Sequence, residues 1–263
     1  MPGRPYVLEE TTWKSVRETK YEVAVLPWGA TEAHNFHLPY GTDNYESSHI
    51  AIAAARIAWD AGAKVVVLPT IPFGVNTGQL DIPLCINMNP STQASVLGDI
   101  VHSLETQGIQ KLVIVNGHGG NDFKQMIREL QPRSRVFIST INWWSCVDAA
   151  PFFDEPGDHA GELETSVMMS IAPELGLPIA EAGPGIARKF NIPSLREGVA
   201  WAPRQWSRVT DDTGTGNPAK ASPEKGAAFL GAVIERIATY LTDLSSADLE
   251  RMYEENTGPR LTR

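Results

Sequence analysis

The chain is poor in sulfur and has no cationic excess. Its two cysteines, Cys85 and Cys146, form neither a C-x-x-C pair nor a zinc-ribbon spacing. A disulfide framework and a thiolate metal site are therefore excluded, and a reduced, cytoplasmic setting is expected. Any metal here must be held by histidines and carboxylates. Lys and Arg total 22 against 31 Asp and Glu, a formal net charge of -9, which argues against nucleic acid as a partner. No stretch of about eighteen apolar residues exists, the length a membrane helix needs, and "MPGRPYVLEETTWKS" lacks the apolar core of a secretory signal. No membrane association is expected. A P-loop lysine and the G-x-G-x-x-G spacing are also missing, so a nucleotide-binding reading of the later "NGHGG" is weak.

What is present is an alternation of apolar runs and helical periodicity. "YEVAVLPWG", "AKVVVLPTIPFG", "KLVIVNGHGGND" and "RVFISTINWW" read as strands. "YESSHIAIAAARIAWDAG", "STQASVLGDIVHSLETQG" and "FKQMIRELQ" read as the helices between them, the second with Ser91 or Thr92 as N-cap. Near-continuous Val/Ile/Leu strands of this kind predict a mostly parallel sheet covered on both faces, an α/β three-layer sandwich. A further helix is expected from about Gly161. Residues 176–222 read as long loops, and "SPEKGAAFLGAVIERIATYL" as a closing helix with Ser222 as N-cap and Pro223 at its first turn. One domain over 1–263 is the simplest account.

Three segments carry chemistry: "TEAHNFHLPYGTD", "VNGHGGND" and "DHAGELETS". The first two follow strands at their C-terminal ends, where open parallel sheets bind ligands. Glu32, His34, Asp43 and His118 are thereby expected to converge. Glu32 and His34 face the same way if their segment is extended, or serve two neighbouring ions if it loops. Asp43 has two oxygens and is able to bridge. This His and carboxylate set suits two Zn, Mn or Fe(II) ions, which together polarise a carbonyl and generate hydroxide from a bridging water. His159 is a candidate general acid or base. Glu164 is a candidate ligand of a second ion, with Glu162 facing solvent or substrate or matching the helix dipole. His37 is read as structural, with contact to the site as the alternative, and His49 and His102 as helix-surface residues. One of Trp143 and Trp144 is a candidate pocket wall.

At these residues the chain resembles the creatininase (creatinine amidohydrolase) family. The resemblance rests on three ordered motifs: Glu-x-His-x-x-His-Leu-Pro ending in Thr-Asp, Asn-Gly-His-Gly-Gly-Asn, and His-Ala-Gly-x-x-Glu-Thr-Ser. The late "GNPAKASPEKG" (Gly216–Gly226) adds a fourth. It implies a creatininase-like α/β fold, a two-metal site, a small-molecule substrate, usually a homohexamer, and hydrolysis of cyclic amides, formamides or related carbonyl compounds. By position, Glu32, His34, Asp43 and His118 match metal ligands, with Asp43 bridging, while His159 matches a catalytic histidine that protonates the leaving group. One departure stands out. Creatininase has a metal-binding glutamate two residues after the histidine matching His118, where this chain has Gly120. Glu164 is the expected replacement, and creatinine is disfavoured as substrate. "PWGATEAHNFHLPYGTDN" and "GQLDIPLCINMNPST" resemble members of sugar and cyclitol breakdown, including hydrolases that open a diketo-inositol by C–C cleavage. A non-catalytic metal- or sugar-binding protein is the alternative of another class.

Overall fold

A computed structural model describes residues 3–254. Four strands, β1 (Val23–Trp28), β2 (Val65–Val67), β3 (Lys111–Asn116) and β4 (Phe137–Asn142), form one sheet in the order β2-β1-β3-β4. Every pairing is parallel, with Val23 opposite Val65, Trp28 opposite Asn116, and Asn116 opposite Asn142. The expected mostly parallel sheet is thus wholly parallel among the described residues. β2 is shorter than its apolar run suggested, because Pro69 and Pro72 lie within that run and proline removes ladder donors.

The helices are α1 (Trp13–Glu18), α2 (Thr42–Asp60), α3 (Pro90–Thr106), α4 (Phe123–Leu130), α5 (Glu162–Ile171), α6 (Pro193–Arg196), α7 (Trp206–Val209) and α8 (Pro223–Ser246). Side chains alternate across the strands, which gives the sheet two apolar faces. Val23, Val25, Val113 and Val115 pack against α2, α5 and α8. Ala24, Leu26, Leu112 and Ile114 pack against α3 and α4. The chain leaves β1 for α2 on one face and β3 for α4 on the other. The crevice between the C-terminal ends of β1 and β3 is therefore a topological switch point, the place where such sheets bind ligands.

Two helix starts differ from expectation. α3 begins at Asn89 and Pro90 rather than at Ser91 or Thr92, because proline's fixed φ and missing N–H suit the first turn. α2 starts at Thr42, three residues before the Tyr45 expected from the sequence. Asp43 therefore lies in a first helical turn, where the helix dipole favours a carboxylate. The Ser222 cap and Pro223 start of α8 stand as expected. At its far end, the buried Lys111 ammonium donates to the carbonyls of Ser245 and Ala247, at 2.9 and 2.8 Å, which satisfies helix-end acceptors. No helix among the described residues is long and apolar enough to cross a membrane.

Candidate metal centre

The segment between β1 and α2 folds back on itself. Glu32 N–H donates to the Tyr40 carbonyl at 3.1 Å, and Asn44 Nδ2 donates to the Ala30 carbonyl at 2.8 Å. Asn35 takes a φ of 53° at the turn, a conformation asparagine tolerates better than most residues. The turn buries Glu32, His34 and Asp43 together. His34 Nδ1–H donates to the Glu32 carbonyl at 3.1 Å, which aims Nε2 at Asp43 Oδ1, 2.9 Å away.

The loop after β3 brings His118 to the same point. Asn116 and Asn121 lace this loop: Asn121 donates to Asn116 Oδ1, and Asn116 both donates to the His118 carbonyl and accepts its N–H. His118 Nε2–H donates to the Val75 carbonyl at 3.0 Å. Nδ1 is thereby left facing Glu32 Oε1 at 2.8 Å and Asp43 Oδ2 at 3.1 Å. A carbonyl that holds the far nitrogen of an imidazole is the usual support of a metal-ligating histidine. Gly120 is fixed by close approach. A Cβ there would lie 2.3 Å from the Val75 oxygen and 2.4 Å from His118 Nε2. No glutamate fits at that position without breaking the carbonyl support of His118.

The third segment supplies His159 and Glu164. His159 sits on an antiparallel bridge to Thr215, and its Nε2–H donates to the Ala33 carbonyl at 2.8 Å. Its Nδ1 is 3.9 Å from Glu32 Oε1. Glu164, in the first turn of α5, accepts from the Ala160 N–H. Three triads bring ligand atoms within 4.8 Å of one another: Glu32 with Asp43 and His118, His34 with Asp43 and Glu164, and Glu32 with His34 and His159.

The electrostatics are those of a site built for cations. Burial alone would raise the Glu32 carboxyl, but the neighbouring His118 and His159 outweigh it and hold it below its ordinary value. Asp43 is depressed against its burial by His34 and His118. Burial works against a charged His34, yet the Asp43 carboxylate raises its pKa to about 10. His118 is raised well above its ordinary value against burial by Glu32 and Asp43. Without a metal, protons on imidazoles hold these carboxylates together. Asp43 Oδ2 has no hydrogen-bond partner among the described residues.

Of the other histidines, His37 stays outside the cavity. Its Nε2 meets Thr165 Oγ1 at 2.9 Å, and burial depresses it to about 4. His49 and His102 are exposed on α2 and α3. Glu162 requires a correction. It faces neither solvent nor substrate but is fully buried, paired with Lys225 and accepting the Glu155 N–H. The lysine lies in α8, so the pair links two helices that no local pattern connects. Trp144 lines the cavity, while Trp143 lies in the core.

Four residues at the site were not read from the sequence. Gln79, on a turn of the 76–92 loop, donates to Glu32 Oε2. Glu46 is fully buried with neither oxygen partnered among the described residues, and burial followed by the charges of Glu164 and Asp43 pushes it well up. Its spacing of three from Asp43 on one helix is the signal that would have found it. Trp206 and Arg204 come from the 176–222 region and line the cavity beside His159. The cavity holds about 160 Å³.

The family model for creatininase, creatinine amidohydrolase, matches residues 9–241. A mycofactocin precursor peptide peptidase of Mycobacterium ulcerans (strain Agy99) is 29% identical over 196 residues, covering 72% of this chain and 71% of its own. The 3-dehydro-scyllo-inosose hydrolase of Thermotoga maritima (strain ATCC 43589 / DSM 3109 / JCM 10099 / NBRC 100826 / MSB8) is 24% identical over 179 residues, covering 62% of this chain and 55% of its own. The crystal structure of a Bacteroides fragilis NCTC 9343 protein, named provisionally as a creatinine amidohydrolase, is 45% identical with a TM-score of 0.89, covering 95% of this chain and 99% of that one.

Proposed function

We propose, for a chain that belongs to the creatininase family of metal-dependent hydrolases, that it is a two-metal hydrolase of a small cyclic carbonyl compound. The observation that carries this reading is Asp43. Its Oδ1 faces His34 at 2.9 Å and its Oδ2 faces His118 at 3.1 Å, so one carboxylate spans two ligand sets. Glu32 and His118 complete the first set, and His34 and Glu164 the second. The orphaned Asp43 Oδ2 and the mix of imidazole and carboxylate donors fit Zn, Mn or Fe(II). Glu164 takes the place of the glutamate that Gly120 cannot provide. When bound, the ions supply Lewis acidity at the substrate carbonyl and a water made acidic enough to react near neutral pH.

The chain's own residues do the rest. The Val75 and Glu32 carbonyls hold His118 and His34 in the tautomers that present a lone pair to the ligand sets. His159 is held through Nε2 by the Ala33 carbonyl, which leaves Nδ1 free to pass a proton to the leaving group. Trp144, Trp206 and Leu163 wall the cavity and limit water around the reacting carbonyl. A space of about 160 Å³ is close to the roughly 150 Å³ that accommodates benzene in an engineered protein cavity, which favours a single small ring. We further place the reaction in one domain and in a homo-oligomer.

The likeness to a 3-dehydro-scyllo-inosose hydrolase favours a second reading, C–C hydrolysis of a cyclic 1,3-diketone. The two are separated by incubating Mn- or Zn-loaded protein with creatinine, formamidopyrimidine analogues, lactams and dehydro-inososes, with mass spectrometry of the products. Gain of one water by a lactam or formamide supports the amide reading. A ring-opened acid from a dehydro-inosose supports the C–C reading. If no compound gains water while metal stays bound, the hydrolase reading fails and a binding role takes its place.

A further inference from the structure

The catalytic cavity is walled by carboxylates, and Arg204 is the one Lys or Arg that lines it among the described residues. Arg204 is solvent-exposed at the cavity rim but tethered there. Its Nη1 donates to Asp158 at 2.5 Å, and its guanidinium lies 4.5 Å from the centre of the Trp206 ring. A second neighbour of Trp206 is His159, with ring centroids 5.2 Å apart. Trp206 thus touches both the guanidinium and the candidate catalytic imidazole. Asp158 occupies one of the five donors of the guanidinium, so the remaining donors are available to a ligand.

The same arginine also lines a second, larger cavity of about 690 Å³, together with Arg188, Lys189, Arg196 and Arg208. Residues 186–209 hold these five cations against a single acid, Glu197, in a chain whose overall charge is -9. Arg188 is paired with Asp211. Lys189, Arg196 and Arg208 have no carboxylate partner among the described residues. A positive strip therefore leads along the surface to the rim of an acidic catalytic cavity and ends at Arg204. A neutral substrate gains nothing from such a strip, whereas an anionic one is drawn along it and then held by charge-assisted hydrogen bonds.

We propose that the substrate carries, besides the carbonyl that is hydrolysed, a second group that is a carboxylate-class anion, and that Arg204 receives it. Arg204 is then a specificity-determining residue. This inference rests on the two-metal hydrolase reading, because one end of the ligand must sit at the ions.

The test uses metal-loaded protein and acids that resemble hydrolysis products. Calorimetry compares succinate, glutarate and adipate with butyrate, in the wild type, Arg204→Gln and Arg204→Lys. At least one dicarboxylate is expected to bind about tenfold or more tighter than butyrate, the worth of one charge-assisted hydrogen bond. Arg204→Gln should erase that difference while leaving butyrate binding unchanged, and Arg204→Lys should restore part of it. Equal affinity for mono- and dicarboxylates in the wild type overturns the proposal, as does a preference that survives Arg204→Gln. If neither class binds while metal content is intact, the proposal falls, and the hydrolase reading is decided separately by turnover of the substrate panel. If butyrate alone binds, only the proposal falls.

Discussion

Two corners of this molecule bury carboxylates, and they handle them in opposite ways. In α5, Glu162 is fully buried and paired with Lys225 of α8, with Asp154 and the Glu155 N–H completing the arrangement. Two residues on, Glu164 faces the cavity with His34 and Asp43, and no lysine or arginine among the described residues pairs with it. Glu162 has a fixed cation that nothing is required to displace. Glu32, Asp43 and Glu164 lie among imidazoles, whose positive charge depends on a proton that a bound metal would replace at the same nitrogens. Burial of a carboxylate is therefore no sign of function by itself. What separates the two corners is whether the counter-charge is permanent or exchangeable.

That contrast is open to attack. His159→Ala removes the proposed proton donor. It is expected to lower kcat by about 10²–10⁴-fold with both ions retained, read by turnover and elemental analysis. Loss of an ion would move His159 into the ligand set, as its place beside Glu32 and His34 allows. Glu164→Gln should empty one of the two metal positions and leave the Glu32–His118 position filled, so elemental analysis falls from two ions per chain to one. Lys225→Met strikes the other corner. It should lower Tm by several degrees through an uncompensated buried Glu162 and leave metal content untouched. A change in metal content there would dissolve the distinction.

The smallest effect is in the pH dependence of the metal-free protein. His34 has its pKa raised from 6.5 to about 10, with Asp43 as the cause that overcomes burial. A raised imidazole contributes stability that is complete below 6.5 and is lost as pH climbs toward 10. Metal-free Tm should therefore decline across that window. Metal-loaded protein should not follow, because ions replace those protons and bind better as pH rises. Parallel thermal scans of the two forms between pH 6 and 10 check this.

The parallel sheet was legible because its strands are buried on both faces and so read as unbroken Val, Ile and Leu. The convergence of Glu32, His34, Asp43 and His118 was legible because each lies in the segment that follows the C-terminal end of β1 or β3, Asp43 at the start of the next helix. What escaped the sequence depended on contacts between distant segments. The Glu162–Lys225 pair joins α5 to α8. Arg204 and Trp206 reach the cavity through a long region without periodicity. The Gly120 position looked like a missing ligand, and only the proximity of the Val75 carbonyl shows that a side chain has no room there. Glu46 was hidden for a different reason: a helical acid is read as solvated unless its burial is known.

The central claim is that Asp43 joins two ions in one site. Its most direct test is the metal content of the purified protein and of Asp43→Asn, measured by elemental analysis after equilibration with Mn or Zn. The account predicts two ions per chain in the wild type and loss of at least one in Asp43→Asn, with turnover falling toward an uncatalysed rate about 10⁶-fold or more below the enzyme's own. One ion per wild-type chain, or two ions retained in Asp43→Asn, would contradict it.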